Sequence, residues 1–268
     1  MSTSPLAVKT ETITPLRAKE LLSNNRINRA LKKRQIENLA RTIKAGNWDA
    51  YNGETIIVDT EGCLLDGQHR LQAVVLAGLP IDTFVTYGVD PHKRGSIDTG
   101  FRRSLGDFFD MHGYPNGRNL ASAVLWMHAY DEQALQHTQG GGLSFISYSE
   151  ANDYLHQHDT LYKFPMMING FRHLLPPAAA TALTYLFAQC DTVLMEAFVE
   201  ILSTGNGREN APNFWLLRER LIKHASSRSK FPPLVLCAWA VQAWNATRAH
   251  RILKTLRYRM KDPFPVIK

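Results

Sequence analysis

Asp66-Gly67-Gln68-His69-Arg70-Leu71-Gln72-Ala73 follows the apolar run Cys63-Leu64-Leu65 and opens an apolar stretch that closes at Gly78. This pattern predicts a strand-to-helix junction. The first N–H groups of a helix and the positive end of its dipole face whatever lies before them. Gly67 permits a sharp turn and a close approach. His69 and Arg70 add donors in the first turn, and a guanidinium fork matches phosphate oxygens. The stretch therefore reads as an anion site, most simply for phosphate. The same residues also fit a purely architectural reading, with Asp66 as N-cap, Gly67 as turn and Arg70 as a solvated helix residue.

Outward from this stretch the spacing predicts a compact mixed region. Residues 1–14 are polar and expected to be loosely ordered. Residues 13–22 read as a short strand and a helical turn. Asn24 to Arg29 is polar and turn-prone. Between Lys32 and Ala45, Ile36, Leu39, Ala40 and Ile43 recur at helical spacing, and Gly46 ends the helix. Thr55 to Asp59 is a β-branched run, and Thr60-Glu61-Gly62 turns it into the strand begun at Cys63. Gln68 to Ala77 is a helix, with Gly78 and Pro80 after it, and Ile81 to Tyr87 is a strand.

Past residue 104 strand signals fade. Helices are expected near residues 104–111, 117–134, 149–157, 177–189, 192–202, 214–226 and 232–248. The fold class is therefore α+β: a sheet-containing N-terminal domain at 1–104 and an all-helical C-terminal domain at 105–268 with a basic tail. Gly140-Gly141-Gly142 lacks the Lys-Ser/Thr of a P-loop and reads as a loop.

A net charge of +7 and a pI near 9.4 favour an anionic partner. The basic residues concentrate between Arg218 and Lys261, where Glu219 is the one acidic residue. Arg248, Arg251, Lys254, Arg257 and Arg259 are the candidate nucleic-acid contacts, with Trp215, Trp239, Trp244 and Tyr258 interleaved. The alternative is a solvated charged face over core tryptophans, and Trp239 and Trp244 fit the core better. The three scattered cysteines exclude a disulfide framework, read as small buried side chains, and suit a reducing cytoplasm. No signal-peptide pattern is seen. The apolar window 178–202 is interrupted by Asp191, Glu196 and Glu200, so it reads as buried helix and the chain has no membrane partner. No metal-ligand spacing is seen among the histidines.

Taken together, Asn25-Arg26 with Arg29, the helix at residues 35–44, the strand Ile56-Ile57-Val58 and Gly67-Gln68-His69-Arg70-Leu71-Gln72-Ala73 resemble the ParB/sulfiredoxin superfamily. Asp66-Gly67-Gln68-His69-Arg70 reproduces the DGQHR motif that names one branch, some of whose members serve DNA modification and mobile elements. The resemblance covers residues 13–87. It implies a ParB-like, sulfiredoxin-like fold that binds ATP or CTP at the loop–helix junction. Gly67, Gln68, His69 and Arg70 would then hold phosphates, with Arg26 beside them, and some members of the superfamily hydrolyse the nucleotide or transfer its phosphate. Read from the residues themselves, Glu54 and Asp66 near such a site could hold Mg²⁺ or act as a general base, which makes Asp66, His69 and Glu54 the catalytic candidates, although Glu54 fits a solvated strand edge better. Arg102 and Arg103 could add charge over the site or be surface residues. The alternative is a non-catalytic DNA-binding or regulatory protein; a nuclease is a third reading. DNA is the expected macromolecular partner, and a homo-oligomer is left open. Gln68 stands where sulfiredoxin has its nucleophilic cysteine, and Gln68-His69 replaces the Glu-Arg of ParB, so neither relative's own reaction transfers directly.

Overall fold

The computed structural model describes residues 5–26, 28, 30–97, 104–138, 146–228 and 230–268. Arg29, Asp98, Thr99, Gly100, Arg102, Arg103 and Gly140 to Gly142 lie outside the described residues. The chain divides into two compact units, Met1–Arg102 and Arg103–Lys268. It is an α+β protein, with the sheet confined to the first unit.

The first unit runs β1 (Ala7–Ile13), α1 (Pro15–Ser23), α2 (Lys33–Lys44), β2 (Thr55–Asp59), β3 (Leu64–Asp66), α3 (Gln68–Ala77) and β4 (Ile81–Val89), followed by a 3₁₀ turn at Pro91–Ser96. The four strands are ordered β1-β4-β2-β3. β2 and β3 form the antiparallel hairpin expected around Thr60-Glu61-Gly62. The turn is built by Asp59, whose Oδ1 accepts the N–H groups of Glu61 and Cys63, both at 2.8 Å. β4 runs parallel to β2, because β3 and α3 carry the chain back across the sheet between them.

β1 corrects the expectation of a loose N-terminus. Residues 7–13 pair with β4 along the whole length, from Ala7 opposite Tyr87 to Ile13 opposite Ile81. The strand lacks an apolar alternation because it is an edge strand whose side chains are mostly exposed; Ile13 alone is buried. Its side chains instead join polar partners on β4 and α1. Tyr87 Oη donates to Glu11 Oε1, and Arg17 Nη2 donates to Tyr87 Oη at 3.0 Å.

Beneath the sheet lie Ile13, Ile56, Val58, Leu64, Leu71, Val74, Ile81 and Val85, with Ala40 and Ile43 from the apolar stripe of α2. Gly46 ends α2 at φ +74° and Gly78 ends α3 at φ +72°, the left-handed geometry expected of a helix-terminating glycine.

The second unit contains α4 (Leu105–Met111), α5 (Gly117–Asp131), α6 (Tyr148–Gln157), α7 (Phe164–Met167), α8 (Pro177–Cys190), α9 (Thr192–Thr204), α10 (Pro212–Ser226) and α11 (Pro233–Arg248). The apolar window at 178–202 is two helices broken at Asp191, whose side chain accepts Leu194 N–H and caps α9. No helix among the described residues is long and apolar enough to cross a membrane. Aromatic rings fill the centre: Trp244 stacks on Phe187 at 4.1 Å, and Phe198 meets Phe187 edge-on at 5.1 Å. Cys63 and Cys237 are buried, and burial pushes the Cys237 thiol up to about 12. Cys190 departs from expectation: it ends α8 and is exposed.

Candidate functional site

The predicted junction is present. β3 ends at Asp66, Gly67 turns at φ +104°, and α3 begins at Gln68. Glycine is required twice over. The backbone is left-handed, and a Cβ there would lie 2.9 Å from Ile56 Cγ1. Gly67 is itself the N-cap, with no side-chain cap. The capping role weighed for Asp66 is therefore not the one adopted. As the last strand residue, Asp66 turns its Oδ2 to Arg70 Nη2 at 3.1 Å, one helical turn away.

Arg70 is the hub. Nη2 also donates to Thr55 O at 2.7 Å. Nη1 lies 3.6 Å from Glu54 Oε2, an ionic contact too long for a hydrogen bond, and is buried without a hydrogen-bond partner among the described residues. The arginine side chain is 11% exposed, against 34% for Asp66 and 70% for Glu54. Nη2 is thus committed to the fold, while Nη1 makes no hydrogen bond among the described residues. Glu54 and Asp66 both face this cation.

Gln68 and His69 are 4% and 6% exposed. Gln68 Oε1 accepts from Asn25 Nδ2 at 3.1 Å, and His69 Nε2 accepts from the N–H of Lys32 at 3.1 Å. Accepting at Nε2 places the ring proton on Nδ1. Asn28 Nδ2 donates to Leu64 O at 3.0 Å and to Asn25 Oδ1, and Leu64 N–H donates to Asn24 O at 3.1 Å. The polar segment at residues 24–28 is therefore laced to β3 and to the first turn of α3. That places Arg26, which is exposed, on a segment fastened to the corner.

Four of the five candidate nucleic-acid residues lie on a strap, and Arg248 is the last residue of α11. After α11 the chain is not helical; residues 249–268 return over the helices without regular secondary structure, with Leu256 fully buried. Amide side chains on the helices fasten its backbone. Asn213 Nδ2 donates to Arg251 O at 2.7 Å and Asn213 Oδ1 accepts Leu253 N–H at 2.8 Å. Gln242 makes the same two-way pairing with Arg257, at 2.7 and 3.2 Å. Asn245 takes Lys268 N–H at 2.9 Å and donates to Val266 O at 2.8 Å. With the backbone held, Arg248, Arg251, Lys254, Arg257 and Arg259 are all exposed. Arg259 pairs with Asp262 at 3.2 Å. A depression of about 340 Å³ opens between Arg251, Thr255 and Arg257 on the strap and Gln242 and Asn245 on α11.

Of the interleaved aromatics, Tyr258 lies half-buried on the strap, but the tryptophans do not share this surface. Trp239 and Trp244 are buried, while Trp215 is half-buried, its ring 4.1 Å from the Arg208 guanidinium. The large exposed aromatic in the basic region is Phe231, at 50%. In the sequence it reads as one more apolar residue before Pro232-Pro233.

No family model, curated protein or solved structure matches this chain.

Proposed function

We propose that this chain binds a nucleoside triphosphate, ATP or CTP, by its phosphates at the β3–α3 corner, and lies on nucleic acid through the exposed cations of the strap. This is the role of a ParB-like, DNA-associated regulatory protein. The observation that carries the nucleotide reading is Arg70 Nη1, buried without a hydrogen bond among the described residues, beside a helix start with no side-chain cap. Buried guanidinium donors are ordinarily paired, and phosphate oxygen is their best-matched acceptor. Binding without turnover fits best, because His69 Nε2 already holds the Lys32 N–H and both carboxylates face Arg70.

A second reading, hydrolysis or phosphate transfer, draws on Asp66, which is one-third exposed. It could take the proton of an attacking water or hydroxyl as the terminal phosphorus–oxygen bridge breaks. The nuclease reading draws no observation from the described residues.

Calorimetry with ATP and with CTP, with and without Mg²⁺, tests the corner. Arg70→Ala and Arg70→Lys are each expected to weaken binding roughly ten- to a hundredfold, the loss of about 1.5–3 kcal/mol from a charge-assisted contact. Arg70→Lys keeps a cation beside Asp66 and so guards against simple misfolding. Normal affinity in both variants, or no binding by the wild type, overturns the reading. Phosphate release in the same samples separates turnover from binding. For the strap, replacing Arg251, Lys254 and Arg257 by Gln should flatten the salt dependence of duplex binding by up to about 0.9 per contact.

A further inference from the structure

One groove of the helical unit takes no part in the readings above. It lies between the end of α10 and the start of α11, measures about 250 Å³, and is lined by Arg220, Lys223, His224, Ser227, Phe231 and Trp239. Its chemistry is one-sided. Trp239 is 1% exposed, and its Nε1–H, together with Arg220 Nε–H, is buried without a hydrogen-bond partner among the described residues. Nearby acceptors are already engaged. The carbonyl oxygens of His224 and Ala225 accept from Lys230 Nζ at 3.0 and 2.6 Å, and His224 Nδ1 accepts Phe231 N–H at 3.4 Å. Two orphan donors and the Lys223 ammonium therefore await an acceptor-rich, anionic ligand.

The surroundings narrow the ligand further. Phe231 meets Trp239 at 5.1 Å and 69°, and half of its own surface stays in solvent. The Arg220 guanidinium lies 4.2 Å over the Trp239 ring, and its Nη1 reaches Thr255 Oγ1 on the strap at 3.5 Å. Thr255 also borders the strap depression of Arg251 and Arg257. An aromatic platform, a donor pocket and a run of cations thus follow one another in a track. Stacked, paired bases offer Phe231 no face, whereas an unpaired strand does.

We propose that this groove holds a backbone phosphate of single-stranded nucleic acid, with Trp239 Nε1–H, Arg220 and Lys223 on the phosphate and Phe231 against the adjoining base. The proposal rests on the nucleic-acid reading of the helical unit and adds the form of the strand and its seat. The test uses the full chain, a labelled oligothymidine strand, its duplex with oligoadenosine, and inorganic phosphate. Phe231→Ala should weaken strand binding roughly five- to a hundredfold, the worth of one base–aromatic stack, and leave duplex binding within about twofold. Phe231→Leu, which keeps apolar packing on Trp239 but no π face, should behave alike. Lys223→Gln should lower the salt slope on the strand by about 0.7. Wild-type strand affinity in both Phe231 variants, or an equal loss on strand and duplex, overturns the proposal while leaving the strap reading in place. Saturation by inorganic phosphate without strand binding also overturns it, as a site for free anion. Absence of binding to either nucleic acid by the wild type overturns this proposal and the nucleic-acid reading together.

Discussion

The corner at residues 66–70 and the strap at residues 249–268 each bring basic residues together with side-chain amides, and they use them in opposite directions. At the corner the side chains turn inward. Gln68 and His69 are buried on Asn25 and Lys32, and Arg70 holds Thr55 O and Asp66. On the strap the backbone turns inward, held by Asn213, Gln242 and Asn245 from the helices, and the charged side chains are left outside. A buried guanidinium must be hydrogen-bonded or it destabilises the fold, so Arg70 is a structural residue whatever it binds. An exposed arginine carries no such obligation, and its removal should cost stability little.

The comparison can be broken first at Gly67. Gly67→Ala forces a Cβ into left-handed backbone, at about 1–2 kcal/mol, and against Ile56, at about 1–3 kcal/mol. A loss of about 2–5 kcal/mol in the urea unfolding of the first unit is expected; a loss below about 1 kcal/mol would show that the corner yields easily.

Asn213→Ala tests the strap. Asn213 is 2% exposed and bonds Thr247 Oγ1, Arg251 O and Leu253 N–H. Its removal should cost about 2–3 kcal/mol, with hydrogen exchange at Leu253 rising sharply. Protection unchanged at Leu253 would mean that apolar anchors such as Leu256 hold the strap without the amide.

The smallest effect concerns pH. Burial between Tyr154 and Tyr185 holds the His158 imidazole below its ordinary value of 6.5, with Asp131 opposing weakly. Its folded value lies below its unfolded one, so its contribution is present above about 6.5 and is lost as pH falls through the folded value. The fall in the urea midpoint from about pH 7.5 to about pH 5 should therefore shrink in His158→Gln. An equal fall in both proteins would assign acid sensitivity to other groups; His224, also held low by burial and by Lys230, is the next to test.

Much of the architecture was legible in local patterns. The stripe Ile36-Leu39-Ala40-Ile43, the β-branched run at β2, the hairpin turn and the glycines at 46, 67 and 78 each state their element through steric rules acting within a few residues. The junction at Gly67 was legible for the same reason. What the tertiary structure alone decided depends on residues far apart in sequence. β1 is a strand because β4 offers its backbone, though its own side chains follow no apolar alternation. Arg70 is half committed because Thr55 O lies 2.7 Å away, 15 residues earlier in the chain. The basic tail is a strap because Asn213, Gln242 and Asn245 reach its amides and carbonyls across 15 to 40 residues. Polar side chains carry no periodic signature, and their partners are chosen by how the apolar core brings the elements together.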